Sequence, residues 1–261
     1  MEYVERGFST LTRNLGLFIV PVVMDLISFL MGLATVGFVG EAAFTFKFSV
    51  NVGLLSIADI LEHYVMMNGL VFNLDEGLGI MGPALLLFAV FMIFSAFVEA
   101  GFVGLLYDVV RRQSVSSGQF FAYAGRYWPR FLGLRLLILA FIFIGGLVSA
   151  LVLSILGVLL FLVVFVILRI RYIYWEFTIV SEDMGVIDAF TRSREHFANR
   201  SHHLAGVIIT ILVSNFIFGL IFNGIWHPVV VFVGIFIYGY VASGLQLALM
   251  FTKPDLDIEA E

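Results

Sequence analysis

Five charged residues of this chain sit where charge is expensive. Asp25 lies about ten residues into an apolar run that opens near Leu15, and Glu99 lies about twelve residues before Arg111 in a second such run. Arg135, Arg169 and Arg171 enter the inner halves of two further apolar stretches. The helical rise places Asp25 about 15 Å deep, where an ionised group costs roughly 2.5–3.5 kcal/mol on insertion scales. Two acids and up to three arginines in the same half of a membrane suggest mutual pairing in a bundle interior. A proton or ion pathway and an aqueous cavity for a polar substrate are the alternatives for the same residues. Other constellations are poor. His196, His202 and His203 cluster near an interface and His63 follows Asp59 by four, but none forms H-E-x-x-H, and adjacent histidines diverge on a helix. There is no cysteine, hence no disulfide, thiolate or cysteine metal site. No Ser-His-Asp set or phosphate-cradling glycine loop is visible. The expectation is no metal, no cofactor and no enzymatic activity.

The elements that must position these charges are membrane helices. Of 261 residues, 61% are hydrophobic and 13% charged, against about 25% charged in a soluble domain. Apolar runs near twenty residues recur, as spans require. A net charge of −5 offers nothing to nucleic acid. The pattern predicts an all-α integral membrane domain over 1–251 with six spans, at about 15–39, 79–110, 131–153, 158–180, 204–222 and 228–251. An acidic cytoplasmic tail follows over 252–261. The first run is too long for a signal h-region and reads as span 1, with Pro21 inside it as a tolerated kink.

Between the spans the sequence predicts interfacial elements. Tyr3, Val4, Phe8, Leu11 and Leu15 recur at helical spacing and suggest a helix on the membrane surface. The loop over 40–78 holds F-T-F-K-F-S-V, which alternates like a strand. It also holds an amphipathic helix with Ile57, Ile60, Leu61, Tyr64 and Val65 on one face and Asp59, Glu62 and His63 on the other. Ala96, Ala100 and Gly104, at successive i+4 positions, form a small-residue stripe for close helix approach. Residues 131–180 are two spans with a tight turn. Gly145, Gly146, Ser149, Ser154 and Gly157 are turn candidates, and Ser154–Gly157 is favoured. N-G-I-W-H-P over 223–228 is a further turn. Asn215, Asn223 and Gln246 offer interhelical hydrogen bonds of about 0.6 kcal/mol each.

Thirteen of the fourteen lysines and arginines fall on one side of this topology, and Lys47 alone falls on the other. The positive-inside rule then puts both termini in the cytoplasm and the 40–78 loop outside. Three basic segments, E-R-G-F-S-T-L-T-R, G-Q-F-F-A-Y-A-G-R-Y-W and V-I-D-A-F-T-R-S-R-E-H-F, each precede a hairpin. They suggest a loose parallel repeat of interfacial helix plus hairpin.

The run over 169–200 is the longest charge-rich stretch between two apolar regions. Ser181 or Asp183 can cap the helix that follows, and Glu182 and Asp183 suit its positive N-terminus. Val186 or Ile187, Phe190 and Phe197 give that helix an apolar side. Asp188, Arg192, Glu195 and Asn199 give it a wet one, with Asp188 and Arg192 spaced as an i,i+4 pair. It reads as a topology-fixing helix lying flat at the inner leaflet, with a binding or regulatory site as the alternative. The run resembles a pattern in a broad group of prokaryotic six-span membrane proteins. The group includes the membrane domain of glycerophosphodiester phosphodiesterases and the YciC-like proteins. The matching positions are Arg169 or Arg171, Ile179-Val180, Glu182, Gly185, Ala189 and Ser193. The resemblance implies a six-span fold in a prokaryotic cytoplasmic membrane and no activity. The soluble phosphodiesterase barrel is absent, and Glu176-Phe177-Thr178 stands where the group carries a proline.

Three functional readings follow. A non-enzymatic scaffold or accessory subunit, partnered by the lipid bilayer and by other membrane subunits or further copies of itself, is favoured. A transporter or lipid-handling protein would use Asp25, Glu99 and the arginines to line a cavity. An intramembrane enzyme would need a nucleophile beside a base, and none can be assembled from the sequence.

Overall fold

The computed structural model describes residues 1–35, 37–45, 47, 51–63, 66, 77–113 and 115–257, with the backbone alone for 77–88, 200–203, 255 and 257. The described chain is helical: α1 Glu2–Arg13, α2 Gly16–Thr35, α3 Gly77–Val110, α4 Ser117–Arg171, α5 Trp175–Ser181, α6 Val186–Gly224, α7 Pro228–Phe251 and α8 Pro254–Asp257. A single 3₁₀ turn covers Ile57–Asp59, and no strand occurs among the described residues, Phe44, Thr45 and Lys47 included. Among the described residues, five helices are long and apolar enough to cross a membrane.

Local chemistry explains the ends. The Ser116 hydroxyl accepts from the Gln119 N–H and caps α4. Pro228 opens α7, where its missing N–H costs nothing, and the His227 ring accepts from the Val229 N–H. Inside α4, Ser154 takes φ 56° and ψ −140°, and the chain reverses there. Phe141 stacks with Phe165 at 6.4 Å between centroids, although the two are separated by some 36 Å along a straight helix. The arms over 117–153 and 155–171 are therefore antiparallel, with Gly157 against the backbone of Ser149.

Several expectations change. The span expected over 158–180 breaks after Arg171. Tyr172–Tyr174 turn, and α5 follows with Trp175–Val180 all buried in protein. Those side chains fill the core, so they do not form a lipid-facing span. The helix expected to lie flat over Asp183–Asn199 is not separate from span 5, since α6 runs unbroken from Val186 to Gly224. Its cap is Gly185, with no side-chain capping bond. Asp183, at φ 53°, reaches instead to Arg126 and Arg130. The N-terminal helix also packs on protein. Gly7 of α1 lies against Gly244 and Ala248 of α7, Leu11 is buried, Phe8 contacts Tyr240, and Arg6 sits over Phe251. Leu15, expected on the same face, is exposed. The tail is not free from its start: Thr252 and Lys253 are buried.

The contacts gather at two ends. At one end, Asp183 ties α4 to the α5–α6 corner, Glu182 binds Lys253, and Arg6 reaches α7. At the other end, Trp226 stacks on Phe38 and donates to the Val39 carbonyl, beside His63.

Candidate functional site: an acidic cavity closed by an inserted loop

The described residues over 51–63 do not form the expected surface helix beyond one 3₁₀ turn. Together with Ala43 to Thr45 they pack against the bundle, and polar side chains of three long helices hold their backbone. From α6, the Asn223 Oδ1 accepts from the Glu62 N–H at 2.9 Å, and Nδ2 donates to the Ile60 and Thr45 carbonyls at 3.1 and 3.2 Å. From α7, the Gln246 Oε1 accepts from the Gly53 N–H at 3.1 Å. From α2, Asp25 accepts from the Ser56 hydroxyl at 2.5 Å and the Ile57 N–H at 2.9 Å. Irregular backbone survives at membrane depth only where protein satisfies it, and these residues do so. Ser56 and Asp59 close a capping box around the 3₁₀ turn, while Ile57, Ile60 and Leu61 are buried among α2 and α7 residues such as Val22, Phe29 and Val231. Tyr64 and Val65, expected on the same face, lie outside the described residues. Gly53, at φ 87°, has Glu99 where a side chain would point; any other residue would be strained and would collide.

Behind the loop lies a cavity of about 490 Å³. Its lining includes Asp25 of α2, Ser56 and Asp59 of the loop, Ser95 and Glu99 of α3, Arg135 and Arg169 of α4, and Glu176 of α5. The Arg135 Nε and Nη2 both donate to the Glu99 Oε2, at 2.9 and 2.7 Å, and Nη1 donates to Ser95. Arg169 pairs with the Glu176 Oε1. The break after Arg171 turns Glu176 back onto Arg169. The Glu176 Oε2 is buried without a hydrogen-bond partner among the described residues. Four carboxylates, Asp25, Asp59, Glu99 and Glu176, thus face two guanidiniums.

Of the expected cluster, Asp25, Glu99, Arg135 and Arg169 come together. Arg171 does not, being exposed. Nor do the acids divide as one pairing group: Asp25 holds loop backbone, Glu99 takes Arg135, and Arg169 takes Glu176. Asp59 and Glu176 were missed. Asp59 looked like the wet side of a helix, yet Ser56 and Asp59 in S-I-A-D are legible as a capping box.

The other expected residues serve the frame. Ala96 and Ala100 are buried, and Gly104 admits the Tyr123 ring of α4. Asn215 makes an interhelical bond, accepting from Tyr238 at 3.1 Å, whereas Asn223 and Gln246 hold the loop. In the corner over 182–197, Ala189 and Ser193 are buried, Phe190 stacks on Tyr172 at 3.9 Å, and Phe197 packs against the core. Glu182 accepts from Lys253 at 2.7 Å, His196 at 2.6 Å and Arg192 at 2.9 Å. Burial alone raises its carboxyl, but the hydrogen bonds from Lys253, His196 and Arg192 outweigh it and hold the group at about 2. Lys253 is 0% exposed, so this carboxylate supplies the countercharge that lets it be buried. The described residues include no group of three or more His, Asp or Glu that could hold a metal ion, and the side chains of His202 and His203 lie outside them.

No family model matches the chain, and neither a curated protein nor a solved structure matches it.

Proposed function

We propose that this is a non-enzymatic multi-pass protein of a prokaryotic cytoplasmic membrane that binds and moves a small solute through its intramembrane cavity. It would have six spans, with the two arms of α4 counted separately, and both termini in the cytoplasm. The observation that carries the reading is the cavity of about 490 Å³ itself, lined by four carboxylates and two arginines at the level of the spans. A protein that needed these charges only for assembly would pack them dry, because a cavity among them forfeits dispersion contacts and leaves charge poorly solvated. The orientation rests on the thirteen basic residues of one side, and on the gathering of α1, the start of α4, the α5–α6 corner and Lys253 at one end. Kinship with the six-span group rests on Arg169, Glu182, Gly185, Ala189 and Ser193.

The test uses the natural absence of cysteine. Ser95→Cys, in the cavity wall, should react with a small water-soluble thiol reagent in lipid nanodiscs. Val207→Cys, in the packed core, should not. Equal inertness of both would contradict a solvated cavity.

One observation favours an accessory-subunit reading. The hairpin of α4 is apolar all round and barely covered by the rest of the chain, with Leu151 77% and Leu156 71% exposed. Such a hairpin suits helix–helix contact with another membrane subunit or a second copy. Pull-down from native membranes with and without substitutions at Leu151 and Leu156 would test it.

A further inference from the structure

We propose that the solute of this cavity is an amphipathic organic cation, an aliphatic or aromatic body carrying a protonated amine or a quaternary centre. The inference rests on the cavity-binding reading above and names its substrate class.

Charge balance comes first. Asp25, Asp59, Glu99 and Glu176 border the cavity with Arg135 and Arg169, which leaves two carboxylates in excess. Among the described residues of the loop, Lys47 adds one positive charge and Glu62 one negative, so the balance at the cavity is unchanged. An anion would enter against the excess and would have to displace Glu99 or Glu176 from its arginine. A cation meets the field it needs.

The second observation is independent of the count. Glu176 is 2% exposed and borders the cavity. One of its oxygens is taken by Arg169, while Oε2 is buried with no hydrogen-bond partner among the described residues. A carboxylate at the cavity edge with one oxygen left over from its ion pair adds to the negative field that a positive centre in the cavity would meet.

The walls set the rest of the ligand. A metal ion is disfavoured, because the described carboxylates do not converge as a metal-binding group of three or more. The lining is also apolar in part, with Phe91 and Met92 of α3 and Leu139 and Ile142 of α4. Leu139 and Ile142 are also exposed, so the cavity's apolar part is open at its edge. An apolar slot of about 210 Å³ adjoins at Ile138 and Arg169, lined by Phe141, Phe165, Tyr172 and Trp175 among others. Aromatic faces attract cations as well as hydrocarbon. A ligand with an apolar body and a positive centre satisfies both halves, and a hydrophilic cation satisfies one.

The test sets two probes of one shape and opposite charge against each other. The protein in phosphatidylcholine nanodiscs is dialysed to equilibrium against tetraphenylphosphonium or tetraphenylborate, with empty nanodiscs subtracted. Saturable binding of tetraphenylphosphonium and none of tetraphenylborate is expected. Asp59→Asn and Glu176→Gln should each weaken the cation by at least about tenfold, with melting measured to show that the variants fold. If a variant fails to fold, the wild-type comparison decides alone. Tetraphenylborate binding as tightly as the cation, cation affinity unchanged in both folded variants, or no binding of either probe would overturn the proposal. In each of those cases, reactivity of Ser95→Cys would keep the cavity reading and inertness would remove both.

Discussion

Replacing Asn223 by alanine should release the inserted loop while leaving the long helices in place. The side chain is 1% exposed and, among the described residues, makes three hydrogen bonds, all to the loop: from Glu62 N–H, and to the Ile60 and Thr45 carbonyls. The Ile60 bond is buried, and stranding its carbonyl costs about 2 kcal/mol. The other two are partly exposed and worth about 0.5 kcal/mol each. The total, about 3 kcal/mol, corresponds to roughly a hundredfold rise in the population with the loop out, at tenfold per 1.4 kcal/mol. Ile60→Cys supplies the reporter, because Ile60 is fully buried in the native chain. Its rate of modification by a water-soluble thiol reagent, with and without Asn223→Ala, measures opening. Acceleration of about two orders of magnitude is expected. An unchanged rate beside a lowered melting temperature would refute the reasoning, since Asn223 would then be joining helices and not holding the loop.

Four further outcomes follow from the ion pairs and the corner. Arg135→Leu strands Glu99 and should destabilise the protein by about 3–5 kcal/mol, with Glu99→Leu restoring part. Likewise Arg169→Leu should be rescued by Glu176→Leu and not by Asp25→Leu; additive losses in thermal melts would dismiss the pairing. The Glu182 carboxyl is depressed from 4.5 to about 2, so its stabilisation is complete above about pH 4.5 and is lost as pH falls towards 2. Glu182→Gln should lower stability at pH 7 by about 1–2 kcal/mol after allowance for the half-exposed Arg192, and the gap from wild type should narrow below pH 4.5; a gap constant down to pH 3 would contradict it. Phe190→Asp removes the stack on Tyr172 and the edge contact with Trp175 and should cost about 3–5 kcal/mol in detergent, where no membrane surface is present. Wild-type melting there would return the residue to a lipid-facing role.

What the sequence displayed was composition and period. Long apolar runs declared the membrane helices, and the small-polar step at Ser154, where the chain reverses, lay within the favoured turn. Asp25, Glu99, Arg135 and Arg169 were conspicuous because charge is rare in such runs. Their partners were not, because pairing depends on how helices turn about one another. Glu176 became Arg169's partner only through the break at Tyr172–Tyr174, which no glycine or proline announces. The loop misled for a physical reason. Ile57, Ile60 and Leu61 recur at helical spacing and were placed on a surface, but the same residues are buried on every side once Asp25, Asn223 and Gln246 accept the loop's backbone. Amphipathic segments such as Glu2–Arg13 posed the same ambiguity: an apolar stripe says that something apolar covers it, and here α7 does so instead of lipid.

The cavity depends on the loop lying beside Asp25, and a cross-link measures that directly. The chain has no cysteine, so Ser56→Cys and Asp25→Cys can be joined by a bifunctional thiol reagent of about one-carbon reach in intact membranes. The side-chain oxygens of Ser56 and Asp25 are 2.5 Å apart, and rapid intramolecular linkage is expected. The control pair is Phe38→Cys with Trp226→Cys, whose native rings stack at 4.7 Å. Linkage of the control without linkage of the Ser56–Asp25 pair would place the loop outside the bundle and contradict the cavity it closes.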